Sequence, residues 1–293
     1  MSAIIADARA SGVFQLGGDL PVHRLGFGAM RITGDGVWGE PKDPEEARKV
    51  LRRAVQLGID FIDTADSYGP EVSERLIKEA LHPYPADLVI ATKGGLTRQG
   101  PNQWLPVGRP EYLRQCVEMS LRRLRLERID LYQLHRIDPK VPVEESLGAL
   151  TDLQKAGKIR HIGLSEVTQP EIERAAKSAR IVSVQNKYNF GDRSKDTERV
   201  VEYCHKNSLG FIPWFPVAAG KLAAPGGPLD ALAKRYGATA AQLSIAWLLH
   251  RSPVMLPIPG TSSVKHLEEN AGAAGLQLKP EDWSSLEQAS KRN

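Results

Sequence analysis

What most constrains this chain is an alternation that runs almost its full length, in which short apolar runs are separated by longer segments of helical period. The runs are 25–30 (LGFGAM), 59–63 (IDFID), 88–92 (LVIAT), 129–134 (IDLYQL), 159–164 (IRHIGL), 181–186 (IVSVQN), 209–214 (LGFIPW) and 254–258 (VMLPI). Each is apolar nearly throughout, as a strand covered on both faces must be. Between them, 44–57, 71–81, 109–125, 143–156, 169–179, 195–207, 228–251 in two pieces and 263–274 carry apolar residues at three and four spacing, the period of a helix with one buried stripe. Asp43-Pro44-Glu45-Glu46, Arg109-Pro110-Glu111 and Thr168-Gln169-Pro170-Glu171 read as helix starts, because proline costs the first turn no hydrogen bond and acids suit its positive end. Gly58, Gly157, Gly210 and Gly237 read as stops.

Eight strands each followed by a helix, in ~250 residues, predict an α/β fold, a (β/α)8 TIM barrel. The barrel takes 25–275 of a single domain spanning 1–293. Gly17-Gly18-Asp19 predicts the turn of an N-terminal β-hairpin over 13–24 that closes the barrel bottom, and Lys279-Pro280-Glu281-Asp282 opens an extra C-terminal helix over 279–292. The competing doubly wound fold needs G-x-G-x-x-G after its first strand, and Gly26-Phe27-Gly28-Ala29-Met30-Arg31 lacks the third glycine.

Composition narrows the function classes. At 293 residues, 41% hydrophobic and 25% charged, the chain matches ordinary globular proteins. The excess of 39 Lys+Arg over 35 Asp+Glu is only +4 and is dispersed, which argues against nucleic acid as a partner. Cys116 and Cys204 fall in separate helical segments without C-x-x-C spacing, so neither a disulfide nor a zinc site is expected, and a cytoplasmic location fits. The opening MSAIIADARASG lacks the basic and apolar regions of a secretory signal, and no apolar run approaches the ~20 residues of a membrane span. None of the seven histidines pairs with another at ligand spacing, so no metal is expected. No heptad or long apolar stripe gives the oligomeric state a signature.

In such a barrel the carboxyl ends of the strands face the active site. Three successive strands end in ionisable side chains, Asp63, Lys93 and His135, and Tyr68 lies five residues beyond Asp63. Adjacent strands are ~4.8 Å apart, so these groups can meet at one point. Taken singly, each has an ordinary structural role. Together they predict a site: Lys93 ends an apolar run and needs a buried counter-charge, which Asp63 supplies, while an ammonium beside a phenol favours phenolate and draws the Tyr68 pKa down. Lys93 alone also fits the Schiff base of an aldolase, a chemistry that the Asp63, Tyr68 and His135 pattern does not ask for.

Ile62-Asp63-Thr64-Ala65-Asp66-Ser67-Tyr68-Gly69, Ala91-Thr92-Lys93-Gly94, Leu131-Tyr132-Gln133-Leu134-His135, Lys158-Ile159-Arg160-His161-Ile162-Gly163-Leu164-Ser165 and Ile258-Pro259-Gly260-Thr261 resemble, in order, the aldo-keto reductase family. The resemblance implies a barrel that binds NADPH/NADP+, with NADH as the alternative, and reduces a small-molecule carbonyl substrate. It implies that Tyr68 is the general acid, that Lys93 lowers its pKa, that Asp63 fixes Lys93 and that His135 orients the carbonyl. Some barrels of this family act instead as cofactor-sensing regulatory subunits.

For the cofactor the resemblance implies Met30, Arg31, Ser165, Glu166, Gln185, Trp214, Pro216, Gly220, Lys221, Ile258, Gly260, Thr261, Ser262, Lys265, His266, Glu269 and Asn270. Ser165 and Gln185 match positions that bond the nicotinamide carboxamide, and Trp214 matches the aromatic on which the ring stacks. Glu166 stands where the family often has Asn, and a carboxylate can accept from the carboxamide but not donate to it. Lys265, His266, the hydroxyls of Thr261, Ser262 and Ser263, and the amides opening the next helix are the candidates for a 2′-phosphate, while Glu269 and Asn270 match adenine contacts.

Substrate walls are expected from the loops 31–42 and 96–108, each with one tryptophan, Trp38 and Trp104. Gly36-Val37-Trp38-Gly39, Ala80-Leu81-His82-Pro83-Tyr84 and Pro259-Gly260-Thr261-Ser262-Ser263-Val264 resemble bacterial pyridoxal reductases (pyridoxine 4-dehydrogenases), which interconvert the 4-aldehyde of pyridoxal and the alcohol of pyridoxine.

Overall fold

A computed structural model describes residues 5–217 and 229–290; Gly220 and Lys221 lie outside the described residues. Strands β1 (Val13–Leu16) and β2 (Leu20–His23) form the expected antiparallel hairpin. Its turn needs Gly17 and Gly18 at φ 62° and 85°, which side-chain-bearing residues rarely adopt. Leu16, Leu20 and Val22 pack with the inward residues Phe61, Val89, Leu131, Val182 and Ile212, so the hairpin is the floor of the barrel.

The barrel strands are β3 (Phe27–Gly28), β4 (Phe61–Asp63) and β5 (Val89–Gly94). After a second hairpin, β6 (Leu96–Gly100) and β7 (Gln103–Pro106), come β8 (Ile129–Leu134), β9 (Ile159–Ser165), β10 (Ile181–Gln185) and β11 (Gly210–Phe211). The seven barrel strands pair in parallel in the order β3-β4-β5-β8-β9-β10-β11. Residues 254–258 close the ring without forming a regular strand. Phe211 N donates to Val254 O (2.8 Å), Leu256 N to Phe211 O (2.8 Å) and Gly26 N to Pro257 O (3.0 Å). Pro253, Pro257 and Pro259 remove the amides that a full ladder would use.

Outside lie α1 (Pro44–Gln56), α2 (Val72–Leu81), α3 (Pro110–Leu124), α4 (Val143–Lys155) and α5 (Gln169–Ala175). They are followed by α6 (Lys195–Lys206), α7 (Asp230–Tyr236), α8 (Ala240–Arg251), α9 (Val264–Gly272) and the extra C-terminal helix α10 (Pro280–Ser290). Asp43 caps α1 through Glu46 N, and Thr168 and Glu171 form a capping box on α5, so both starts are as the sequence predicts.

Three expectations are corrected. The strand over 25–30 is cut to two residues because Ala29–Ile32 turns into a 3-10 helix. The loop 96–108 is largely the β6–β7 hairpin. Gly210 is not a helix stop: Ser208 takes the left-handed turn at φ 54°, while Gly210 sits in β11, where a Cβ would come within 2.9 Å of Leu16 and 3.0 Å of Leu256.

Candidate active site

The ends of β4, β5 and β8 bring Asp63, Lys93 and His135 to one side of the barrel mouth. Lys93 is fully buried, and each ammonium proton has an acceptor: Asp63 Oδ1 at 2.6 Å, Thr64 O at 2.7 Å and Tyr68 Oη at 3.2 Å. Asp63 Oδ2 accepts from Gln133 Nε2 (2.9 Å) and Gln185 Nε2 (2.8 Å). A buried ion pair persists when its remaining lone pairs are bonded in this way.

Burial by itself would pull the Lys93 ammonium down, but the Asp63 carboxylate and the phenol oxygen outweigh it and the net direction is up. A Schiff-base lysine needs the opposite, a free amine at neutral pH. Tyr68 is corrected too: burial pushes its phenol up, Lys93 pulls it down and Asp63 pushes it up, leaving it above its ordinary value. The burial of the phenol, which the strand spacing does not encode, is the largest of these effects and outweighs the ammonium.

His135 is buried, and its Nδ1 lies 3.2 Å from Ser67 Oγ. Burial first, then Lys93, Arg136 and Arg98, hold the imidazole well below its ordinary value, so it is neutral at neutral pH. Tyr68, His135 and Trp104 meet edge-on, with centroids 5.9–6.3 Å apart. Trp104 lines the cavity, whereas Trp38 is not among its lining residues. Both rings flank the Arg98 guanidinium, Trp104 at 3.5 Å and Trp38 at 5.5 Å. The Arg98 donors go to five carbonyls, Gln103, Val37, Ser67, Gly36 and Gly100, at 2.7–3.2 Å. One side chain thus ties the loop after β3, the loop carrying Tyr68 and the β6–β7 hairpin together.

A cavity of about 810 Å³ runs past Asp63, Tyr68, Trp104 and His135. Of the expected cofactor residues, Met30, Arg31, Ser165, Gln185, Trp214, Pro216, Ile258 and Gly260 line it. Glu166 does not. Held at φ 54°, it points its carboxylate at the Lys187 amide (2.8 Å) and the Trp214 indole N–H. Both bonds fall on Oε1 and hold the tryptophan in place. Gln185 has its amide on Asp63.

Beyond the cavity, Thr261 Oγ1 accepts from Ser263 N (3.1 Å) and Glu46 Oε1 from Val264 N (3.4 Å), so these helix-opening amides are engaged. Ser262, Lys265 and His266 are exposed on that turn, Glu269 is half-buried and Asn270 buried. The cavity wall between Gly260 and Trp214 offers an indole held by Glu166 and the Ser165 hydroxyl, and the exposed Lys265 and His266 stand beyond it at the start of α9.

Sequence reasoning missed Gln133, Ser67, Arg98 and Arg136. Gln133 and Arg136 flank His135 in sequence and were legible as its neighbours; nothing in the spacing of Arg98 announced three loops.

A family model described as "Aldo/keto reductase family" matches residues 24–291. An uncharacterised oxidoreductase of Schizosaccharomyces pombe is 54% identical over 285 residues, covering 97% of this chain and 92% of that protein. Pyridoxine 4-dehydrogenase of Escherichia coli is 42% identical over 288 residues, covering 96% of this chain and 99% of that protein. Among solved structures, the glycerol dehydrogenase of Gluconobacter oxydans superposes with a TM-score of 0.85 at 26% identity, covering 97% of this chain and 96% of that one.

Proposed function

The chain belongs to the aldo/keto reductase family, and from that premise we propose that it reduces an aldehyde or ketone to the alcohol with NADPH, with Tyr68 as general acid. The observation that carries this reading is the full set of acceptors around Lys93, which holds a protonated amine against the Tyr68 oxygen in the cavity wall.

When bound, the nicotinamide supplies the hydride. Trp214 and Ser165 would hold its ring and carboxamide, and Lys265 and His266 are the side chains that would meet a 2′-phosphate. This chain's own part is the proton. A phenol held above its ordinary pKa stays protonated at neutral pH, so the acid is loaded before the carbonyl oxygen gains charge. An alkoxide is a far stronger base than a phenolate, so transfer from Tyr68 Oη is favourable, and the Lys93 ammonium 3.2 Å away steadies the phenolate as it forms. In the tautomer that accepts from Ser67 Oγ at Nδ1, neutral His135 carries its proton on Nε2 and can donate it to the same carbonyl oxygen.

Pyridoxal is the substrate to test first, supported by the 42% identical pyridoxine 4-dehydrogenase and the aromatic wall at Trp104. A cytoplasmic setting fits two buried, unpaired cysteines. The test is NADPH oxidation with pyridoxal against a panel of aromatic and aliphatic aldehydes, with NADH in parallel. Saturable turnover is expected, lost by ~10²-fold or more in Tyr68→Phe with NADPH binding retained. Near-normal turnover of that variant, or a clear NADH preference, removes the acid or the cofactor assignment respectively.

A further inference from the structure

Three cations stand around the candidate acid, and their partners differ. Lys93 is paired with Asp63, and Arg98 is wholly engaged with backbone carbonyls. Arg136, which lines the cavity next to His135, bonds only through Nη1, to its neighbour's carbonyl His135 O (2.6 Å) and to Ser165 Oγ (3.0 Å). Its Nε and Nη2 donors make no hydrogen bond among the described residues. The carboxylate that acts on it electrostatically is Glu166, which lies beyond ion-pair distance and is already held by Trp214 and the Lys187 amide.

Three N–H groups of a partly buried guanidinium in the cavity wall are therefore left for an acceptor that enters the cavity. The two bonds from Nη1 fix the guanidinium, so the free edge is presented in one orientation. We infer that Arg136 is the receptor for an anionic oxygen on the substrate, a carboxylate or phenolate carried by the same molecule as the reacting carbonyl. This inference rests on the carbonyl-reductase reading and deepens it. A planar fork of donors suits a carboxylate bidentately and a phenolate through one oxygen. The surrounding wall, with Leu96, Trp104, Ile137 and Phe215, takes the apolar body of the molecule and keeps water from the pair.

The experiment compares kcat/KM, at saturating NADPH, for benzaldehyde, 2-carboxybenzaldehyde and 4-carboxybenzaldehyde in the wild type, Arg136→Gln and Arg136→Lys. At least one carboxylated aldehyde should be preferred to benzaldehyde by the wild type. In Arg136→Gln that preference should fall by about tenfold or more, mostly through KM, and Arg136→Lys should restore part of it. Benzoate should compete with aldehyde in the wild type and lose that ability in Arg136→Gln. Equal losses for charged and neutral aldehydes, or a change confined to the KM for NADPH, overturn the inference and leave the carbonyl-reductase reading standing. Turnover of none of the three aldehydes by the wild type overturns both.

Discussion

Two buried polar clusters lie back to back across β5, and they are built on opposite plans. On the inner face Lys93, Asp63, Tyr68, Gln133 and Gln185 form a set in which one cation meets one carboxylate and two amides fill the remaining lone pairs. On the outer face Thr92 Oγ1 donates to Glu74 Oε1 (2.6 Å) and Arg123 Nε to Glu74 Oε2 (2.6 Å). Asp66 sits beside them with Oδ1 unbonded, and the Tyr132 hydroxyl is also without a partner. Arg123 Nη1 also donates to Glu71 Oε1 (2.9 Å), so three carboxyls here, Glu71, Glu74 and Asp66, act on one guanidinium. Burial first, and then Glu74, push the Asp66 carboxyl up to about 7. The clusters are joined by the Asp66 amide, which donates to Lys93 O (3.1 Å). One strand therefore carries a charge-matched set that has no reason to titrate near neutrality, and behind it a set whose charge changes there.

The largest effect should come from breaking the matched side. Lys93→Met leaves Asp63 buried without its cation, and urea unfolding should register a loss of about 3–5 kcal/mol. Restoring neutrality with Asp63→Asn in the same chain should return much of the stability and none of the turnover; no recovery would mean that the pairing is not what holds the inner cluster. On the outer side, Arg123→Met should cost less, about 2–3 kcal/mol, because the Arg123 side chain is partly exposed and water can reach the site. Aldehyde turnover per folded molecule should stay close to wild type, and a collapse of kcat would show that the two clusters are not separable.

The smallest effect is a slope. A carboxyl at about 7 when folded and near ~3.9 when unfolded binds its proton more tightly in the native state. Its contribution is fully present below pH ~4, declines as pH rises and is gone above pH ~7. Asp66→Asn should flatten the stability–pH curve between pH 6 and 8 by about 1–2 kcal/mol, leaving the variant better off relative to wild type at the alkaline end. An unchanged slope would assign the titration elsewhere.

The matched cluster was legible in sequence and the unmatched one was not. A lysine closing an apolar run must have a counter-charge, and the Asp63 strand is its neighbour, so that pair followed from charge and period alone. Asp66 was quoted within the same motif, but whether it faces inward or outward depends on a loop conformation that no periodicity encodes. The barrel followed from the alternation; the seam at 254–258 departed from it because hydrophobic character survives proline while ladder hydrogen bonds do not. Gln185 was recognised at a strand end and assigned to the cofactor, yet its amide reaches Asp63. Glu166 was read as a carboxamide partner because the indole that engages it is 48 residues away.

Arg98 bears on how such a barrel can be redesigned. Its carbonyl partners belong to loops 36–37 and 100–103 and to Ser67, the residue before Tyr68. Exchanging either cavity-lining loop for a relative's would therefore pull on the segment that holds Tyr68. Under the proposed reading this gears specificity to rate, and a graft keeps both only if it brings carbonyls to the same five points.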